Sequence, residues 1–233
     1  MRATELLREL AMATVDAPEP PGAGRYHYVH TRGSNLRTNR ILTRTGESTV
    51  AGSVEQFERR QWIASDGSGR LVVTRGEEMS APPSGVHAPG QLAGVFITAG
   101  DENSLVTELA ELTSKSDDGA IVRAFRQVWN LQVVTPGLQR LLLLRLAECA
   151  DLNVEEATRK FTDRSGVAVS HVDDARHRRQ VLVFCQETGE LIGEEGIALE
   201  GAAVPVAVPA VVSSTEWLLT GYCETTAEPP RQG

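Results

Sequence analysis

The sequence predicts an α+β fold: a single curved, mainly antiparallel sheet, a half-barrel, with a helical insert packed on one face. Three observations predict it. β-prone runs gather in two stretches, 24–75 and 154–224, and a stretch of helical periodicity, 103–149, lies between them. Tight turns join successive runs within each stretch, so neighbouring strands should run antiparallel. Strands and helices do not alternate, which excludes a doubly wound parallel sheet. Of the 233 residues 41% are apolar and 23% charged, which rules out disordered and fibrous classes and suits one domain over 1–233.

Taken in order, Leu6, Leu7 and Leu10 with Ala3 and Ala11 form one apolar stripe and predict a helix over 1–14. Pro18, Pro20, Pro21, Gly22 and Gly24 cannot continue it, so Asp16–Gly24 reads as a linker. Arg25–Thr31 alternates as a strand, with Tyr26, Tyr28 and His30 on one face and His27 and Val29 on the other. Leu36–Thr45 reads as a second, solvated strand. Val54–Ala64 and Arg70–Arg75 flank Asp66-Gly-Ser-Gly69 and predict a hairpin. The Pro/Gly/Ser-rich stretch Glu77–Gly94 reads as a long surface loop.

Asn103 or Ser104 is placed to cap a helix carrying Leu105, Leu109 and Leu112. Asp117 and Asp118 start another with Ile121, Phe125 and Val128. Pro136 opens a third, through about Cys149, with Leu138, Leu141, Leu142 and Leu146. The period then changes to two. Glu156–Thr162 is a strand and Asp163–Gly166 a turn, after which Val167, Val169 and His171 alternate with Ala168, Ser170 and Val172. The charged Asp173–Arg179 turns the chain into Gln180–Cys185, Glu187–Glu190 turns it into Leu191–Leu199, and Val211–Glu224 is the last strand. The polar tail after Thr225 should be loose.

The 23 basic against 31 acidic residues give a formal charge of −8, which excludes a protein built to grip a nucleic-acid backbone. No apolar run reaches the roughly 18 residues of a membrane-spanning helix. Met1–Thr14 mixes Arg2, Glu5, Arg8 and Glu9 with its leucines and is no signal peptide, so the chain taken literally stays in the cytosol. The three cysteines, Cys149, Cys185 and Cys223, form no C-x-x-C. They read as buried free thiols, with a single bridge such as Cys185 to Cys223 left open.

Catalytic and metal signals are weak. His27 and His30 stand three apart on a strand, so their rings point to opposite faces and no shared metal is expected. There is no G-x-S-x-G elbow, G-x-G-x-x-G or P-loop, so neither an enzyme nor a cofactor is expected. Arg37, Arg40, Arg44, Arg59 and Arg60 form a basic cluster that reads as solvated strand face or as a surface for anionic groups. The three tryptophans, Trp62, Trp129 and Trp217, are placed where sheet and helices meet. With Phe184 they are the residues expected to line a pocket if one exists.

Three stretches carry a family likeness. They are Pro21-Gly-Ala-Gly-Arg-Tyr-His-Tyr-Val-His-Thr-Arg32; Gln61-Trp62 followed by Ser65-Asp-Gly-Ser-Gly-Arg70; and Asp163-Arg-Ser-Gly-Val-Ala-Val-Ser170 followed by Val183-Phe-Cys-Gln-Glu-Thr-Gly-Glu-Leu-Ile-Gly-Glu194. In this order, from about Arg2 to Tyr222, the chain resembles uncharacterised actinobacterial proteins commonly encoded beside extracytoplasmic-function sigma factors. The resemblance implies a domain outside the membrane, preceded in the family by a cytoplasmic segment and one membrane helix; this sequence departs in lacking the membrane helix, and reads either as a soluble variant or as the outer domain alone. The Glu187–Glu190 turn is also similar, more distantly, to the D-x-x-T-G hairpin of lipoprotein-carrier and periplasmic sigma-regulator half-barrels, although Cys185 and Gln186 stand where the Asp would be. That likeness implies an apolar cavity for acyl chains or peptides. The expected function is a non-enzymatic binding or sensing domain for a lipid or extended peptide, with the Glu77–Gly94 loop near the opening. The alternatives are an interaction module for a sigma or anti-sigma protein with no small ligand, and a hydrolase with an unrecognised site.

Overall fold

The computed structural model describes residues 1–42, 48–76, 83–92, 94–113, 117–161 and 164–231. Arg44, Asp163 and part of the expected 77–94 loop lie outside them. The fold is α+β. Among the described residues nine strands form one open antiparallel sheet: β1 (Tyr26–Leu42), β2 (Ser48–Ile63), β3 (Gly69–Arg75), β4 (Gly85–His87), β5 (Leu152–Phe161), β6 (Arg164–Asp173), β7 (Arg178–Phe184), β8 (Leu191–Ala198) and β9 (Ala210–Cys223). Helix α1 (Ala3–Ala13) precedes them, and α2 (Glu102–Leu112), α3 (Asp118–Leu131) and α4 (Pro136–Leu146) lie between β4 and β5.

The strand order is β4-β3-β2-β1-β9-β8-β7-β6-β5, so the first and last strands pair in the middle of the sheet. The insert α2–α4 therefore leaves one edge strand and returns at the other. Its apolar residues and those of α1 bury against one sheet face: Leu7, Phe125, Leu142 and Leu143 pack with Val29, Leu182, Phe184 and Trp217. Each such side chain taken fully from water contributes roughly 1.5–3 kcal/mol.

The opposite face carries two smaller clusters. Val181, Val183 and Ile192 form one, and Tyr28, Trp62 and Cys223 the other. This explains the unbroken apolar run of β7: Leu182 and Phe184 face the helices, while Val181 and Val183 face away.

Several elements differ from expectation for identifiable reasons. The two strands expected over 25–45 are one strand, β1, whose register with β2 runs from His27↔Ile63 to Leu42↔Ser48. Gly33 within it is no breaker; a Cβ there would run into the Ser214 carbonyl of β9. The cap of α2 is Asp101 rather than Asn103 or Ser104, its carboxylate accepting the Ser104 N–H at 3.0 Å. Within 77–94 the chain adds the edge strand β4 and folds back on the β2–β3 turn, with Leu92 N–H donating to Gly67 O at 2.9 Å. β5 begins at Leu152, earlier than expected, because its partner β6 pairs Leu152 with His171. The tail is tied down. Trp62 Nε1–H donates to Glu228 O at 2.8 Å, and Pro230 is buried against Gly22 and Gly221.

Candidate binding cleft

The C-terminal end of α3 shows how the helices are fixed to the sheet. Its last four carbonyls have no partner within the helix. Gln132 N–H closes on Val128 O at 3.0 Å. Trp217 Nε1–H, from β9, donates to Trp129 O at 3.0 Å. Gln61 Nε2–H, from β2, donates to Asn130 O at 2.7 Å and Leu131 O at 3.2 Å. Trp217 can reach because of a bulge. His30 pairs with Leu219 and Thr31 with Trp217, leaving Leu218 unmatched, so Trp217 faces the helices while Leu219 faces away.

Beside this junction lies a cleft of about 260 Å³ between the 17–21 linker, α3, α4, the β7–β8 turn and β9. The linker forms a strap, stitched to β9 by Tyr222 N–H donating to Pro21 O at 2.8 Å. Pro18, Pro20 and Pro21 supply one wall, and Trp129, Val134 and Pro136 another. The β7–β8 turn is held against the helices. Gln139 Nε2–H donates to Thr188 O at 2.7 Å, and Gly189, at φ +67, lies where a Cβ would meet Leu10 O at 2.6 Å.

Polar groups share this wall: Glu19, Gln139, Arg164, Thr188, Glu190 and Thr220 line it beside the prolines. Arg164 pairs with Glu190 at 2.9 Å and also donates to Trp217 O at 2.7 Å. Burial pushes the Glu190 carboxyl above its ordinary range, against the pull of Arg164. Trp129 is 2% exposed, yet its own Nε1–H has no hydrogen-bond partner among the described residues. No histidine, cysteine or serine is among the lining residues. The arrangement sets apolar walls beside charged and amide groups.

Of the four residues expected to line a pocket, Trp129 is in the cleft wall. Trp217 and Phe184 are sealed in the core, with Phe184 in edge contact with Phe125 at 5.9 Å. Trp62 is not where sheet and helices meet. It pairs with Tyr28 in register, and the strand period puts both on the face opposite Val29 and Gln61. The structure therefore does not bring the four together. Nor does the 83–92 segment line the cleft; it lies along β3, with Val73 N–H donating to Ser84 Oγ at 2.8 Å. The proline strap, Gln139 and the Arg164–Glu190 pair were not singled out as site residues. Their signal lay in the linker's prolines and in the two halves of one quoted motif.

The remaining candidates stand apart. His27 Nδ1 accepts the Val133 N–H at 3.1 Å between the rings of Phe96 and Tyr222, and burial lowers its pKa to about 4. His30 meets Glu58 at 2.9 Å on the other face. No group of three or more metal-ligating side chains is found among the described residues. The cysteines are free: Cys185 packs on the Val183 cluster and Cys223 beside Trp62, so a bridge between them is not formed. Among the described residues no helix is long and apolar enough to cross a membrane.

No protein-family model matches the chain, and no curated protein matches it. A solved structure that it distantly resembles is a Vibrio parahaemolyticus domain provisionally assigned to outer membrane lipoprotein sorting. The match covers 93% of this chain and 89% of that one, at 8% identity and a TM-score of 0.24. A likeness at that level carries no argument, and neither an actinobacterial family nor a sigma-factor neighbourhood emerges from these comparisons.

Proposed function

We propose that this chain is a non-enzymatic binding domain, working as one unit over 1–233, and that its site is the cleft under the proline strap. Its ligand is apolar with an acceptor at one end: an acyl chain whose carboxylate or carbonyl oxygen takes the Trp129 N–H. The observation that carries this reading is that indole, buried and without a hydrogen-bond partner among the described residues, in a cleft whose apolar walls are Pro18, Pro20, Pro21 and Val134. A buried donor without a partner costs about 1–3 kcal/mol, which a ligand oxygen recovers. The 260 Å³ of space equals roughly nine waters, the size of a chain of about ten carbons. The motif order in the sequence supports a place outside the cytoplasmic membrane, in a sigma-factor-associated system with a sigma or anti-sigma protein as partner.

Calorimetric titration with decanoate tests the ligand. Wild type should bind, and Trp129→Phe, which keeps a ring but loses the N–H, should bind about 5–150-fold more weakly. Decanoate binding that is absent, or equal in the two proteins, refutes the acyl reading. Binding of an extended peptide instead would replace it with the peptide one. Co-precipitation with the sigma and anti-sigma proteins encoded nearby tests the partner, and its failure removes the sigma-factor context alone.

A further inference from the structure

The basic cluster of the N-terminal strands is split by the strand period into two unlike halves. Arg60 lies on the face away from the helices and meets Glu58 at 3.1 Å. Arg37 and Arg59 lie on the face that carries the helices, where Arg75 of β3 joins them. There β1–β3 run past the end of α3 and leave an open groove of about 340 Å³, floored by Phe57 and Val73. Arg37 is paired with Glu55 at 2.8 Å. Arg59 and Arg75 have no acidic partner among the described residues. Burial alone pushes the Arg59 guanidinium below its ordinary range, with no carboxylate acting the other way.

The register sets the distance between the two free cations. Arg59 sits opposite Val73 and Phe57 opposite Arg75, so Arg59 and Arg75 are diagonal neighbours on adjacent strands. Diagonal side chains stand roughly 7–8 Å apart at their bases, within reach of one another for residues as long as arginine. Two planar guanidinium forks converging from that spacing suit one small dianion better than a monovalent carboxylate. A single half-buried arginine would read as a solvated strand residue; two of them, without an acidic partner among the described residues and over an aromatic floor, do not.

We propose that this groove is a phosphate-binding site, in which Arg59 and Arg75 grip the phosphate of an amphiphilic ligand and Phe57 and Val73 take its apolar part. The inference is independent of the cleft under the strap. Its test is titration of the full chain with inorganic phosphate at low ionic strength, followed by NMR or calorimetry. Wild type should bind, and Arg59→Gln/Arg75→Gln should lose at least about tenfold in affinity. Arg60→Gln, on the other face, should bind as wild type. Because the double variant removes partly buried groups, Glu55→Gln serves as a second probe: it frees Arg37 and should tighten phosphate binding. Flotation with vesicles then separates the sources. Capture by vesicles containing phosphatidic acid, a phosphomonoester, but not by phosphatidylglycerol or phosphatidylcholine ones assigns a lipid headgroup, and phosphate binding without capture assigns a soluble phosphate. Phosphate that fails to bind wild type overturns the proposal, and so does equal binding by wild type, Arg59→Gln/Arg75→Gln and Glu55→Gln.

Discussion

Two tryptophans with their N–H groups in opposite situations allow one comparison to test how the helices are fixed. Trp217 donates to the Trp129 carbonyl at 3.0 Å, while the Trp129 N–H has no acceptor among the described residues. Both are almost fully buried, at 1% and 2% exposure, so Trp→Phe removes similar bulk at each and the cavity cost is largely shared. The polar part differs in sign. Trp217→Phe leaves a helix-terminal carbonyl buried without a donor, at a cost of about 1–3 kcal/mol. Trp129→Phe removes a donor that already lacked a partner and relieves a penalty of the same order. The Trp217 variant should therefore be less stable than the Trp129 variant by about 2 kcal/mol or more, a gap of roughly 4–8 °C in Tm for a chain of this size. Urea and thermal unfolding followed by far-UV circular dichroism would measure it. Equal losses, or a larger loss at Trp129, would show that the end of α3 is not held as described.

Other outcomes follow from the same geometry. Gly189→Ala should destabilise the protein by about 1 kcal/mol or more, since φ +67 disfavours a side chain and Leu10 O stands in its way; an unchanged denaturation midpoint would contradict it. Phe184→Ala should cost about 3–5 kcal/mol, against almost nothing for Val86→Ala at an 80% exposed edge position, and paired denaturation curves would show it. Acid should weaken the fold through His27. Unfolded, it takes a proton from about pH 6.5; folded, it stays neutral until about 4. Its contribution is therefore complete above the upper value and declines as pH falls through that window. The downward shift at His30, caused first by burial, adds in the same direction. His27→Gln should flatten this acid limb, and a wild-type midpoint that does not move across the window would sink the assignment.

Much of the fold was legible because local signals agreed with tertiary demands. Asp117 and Pro136 mark helix starts, and Glu187–Glu190 marks a hairpin turn, in both sequence and structure. The errors arose where a distant strand decides. The stretch 25–45 reads as two strands until Ser214 of β9 lies against Gly33, and the tail reads as loose until Pro230 meets Gly22 and Gly221. Alternation correctly separates Tyr28 from Val29, but it does not say which face the helices will cover, and that misplaced Trp62. In β9 the unmatched Leu218 shifts the alternation by one, an event with no sequence signal. Of the cleft, Trp129 and the Glu187–Glu190 turn were readable. The wall made by Pro18, Pro20 and Pro21 was not, because a linker's prolines announce only where a helix stops.

The three tryptophans also offer the most direct test of the proposed site. Each gives one indole N–H signal in a proton–nitrogen correlation spectrum of labelled protein. Trp217 and Trp62 donate to Trp129 O and Glu228 O, while Trp129 stands unpaired in the cleft wall. On titration with decanoate, the Trp129 signal should move downfield as its proton finds an acceptor, and the other two should stay nearly fixed. Three unmoved signals, or movement confined to Trp62, would contradict a binding site under the proline strap.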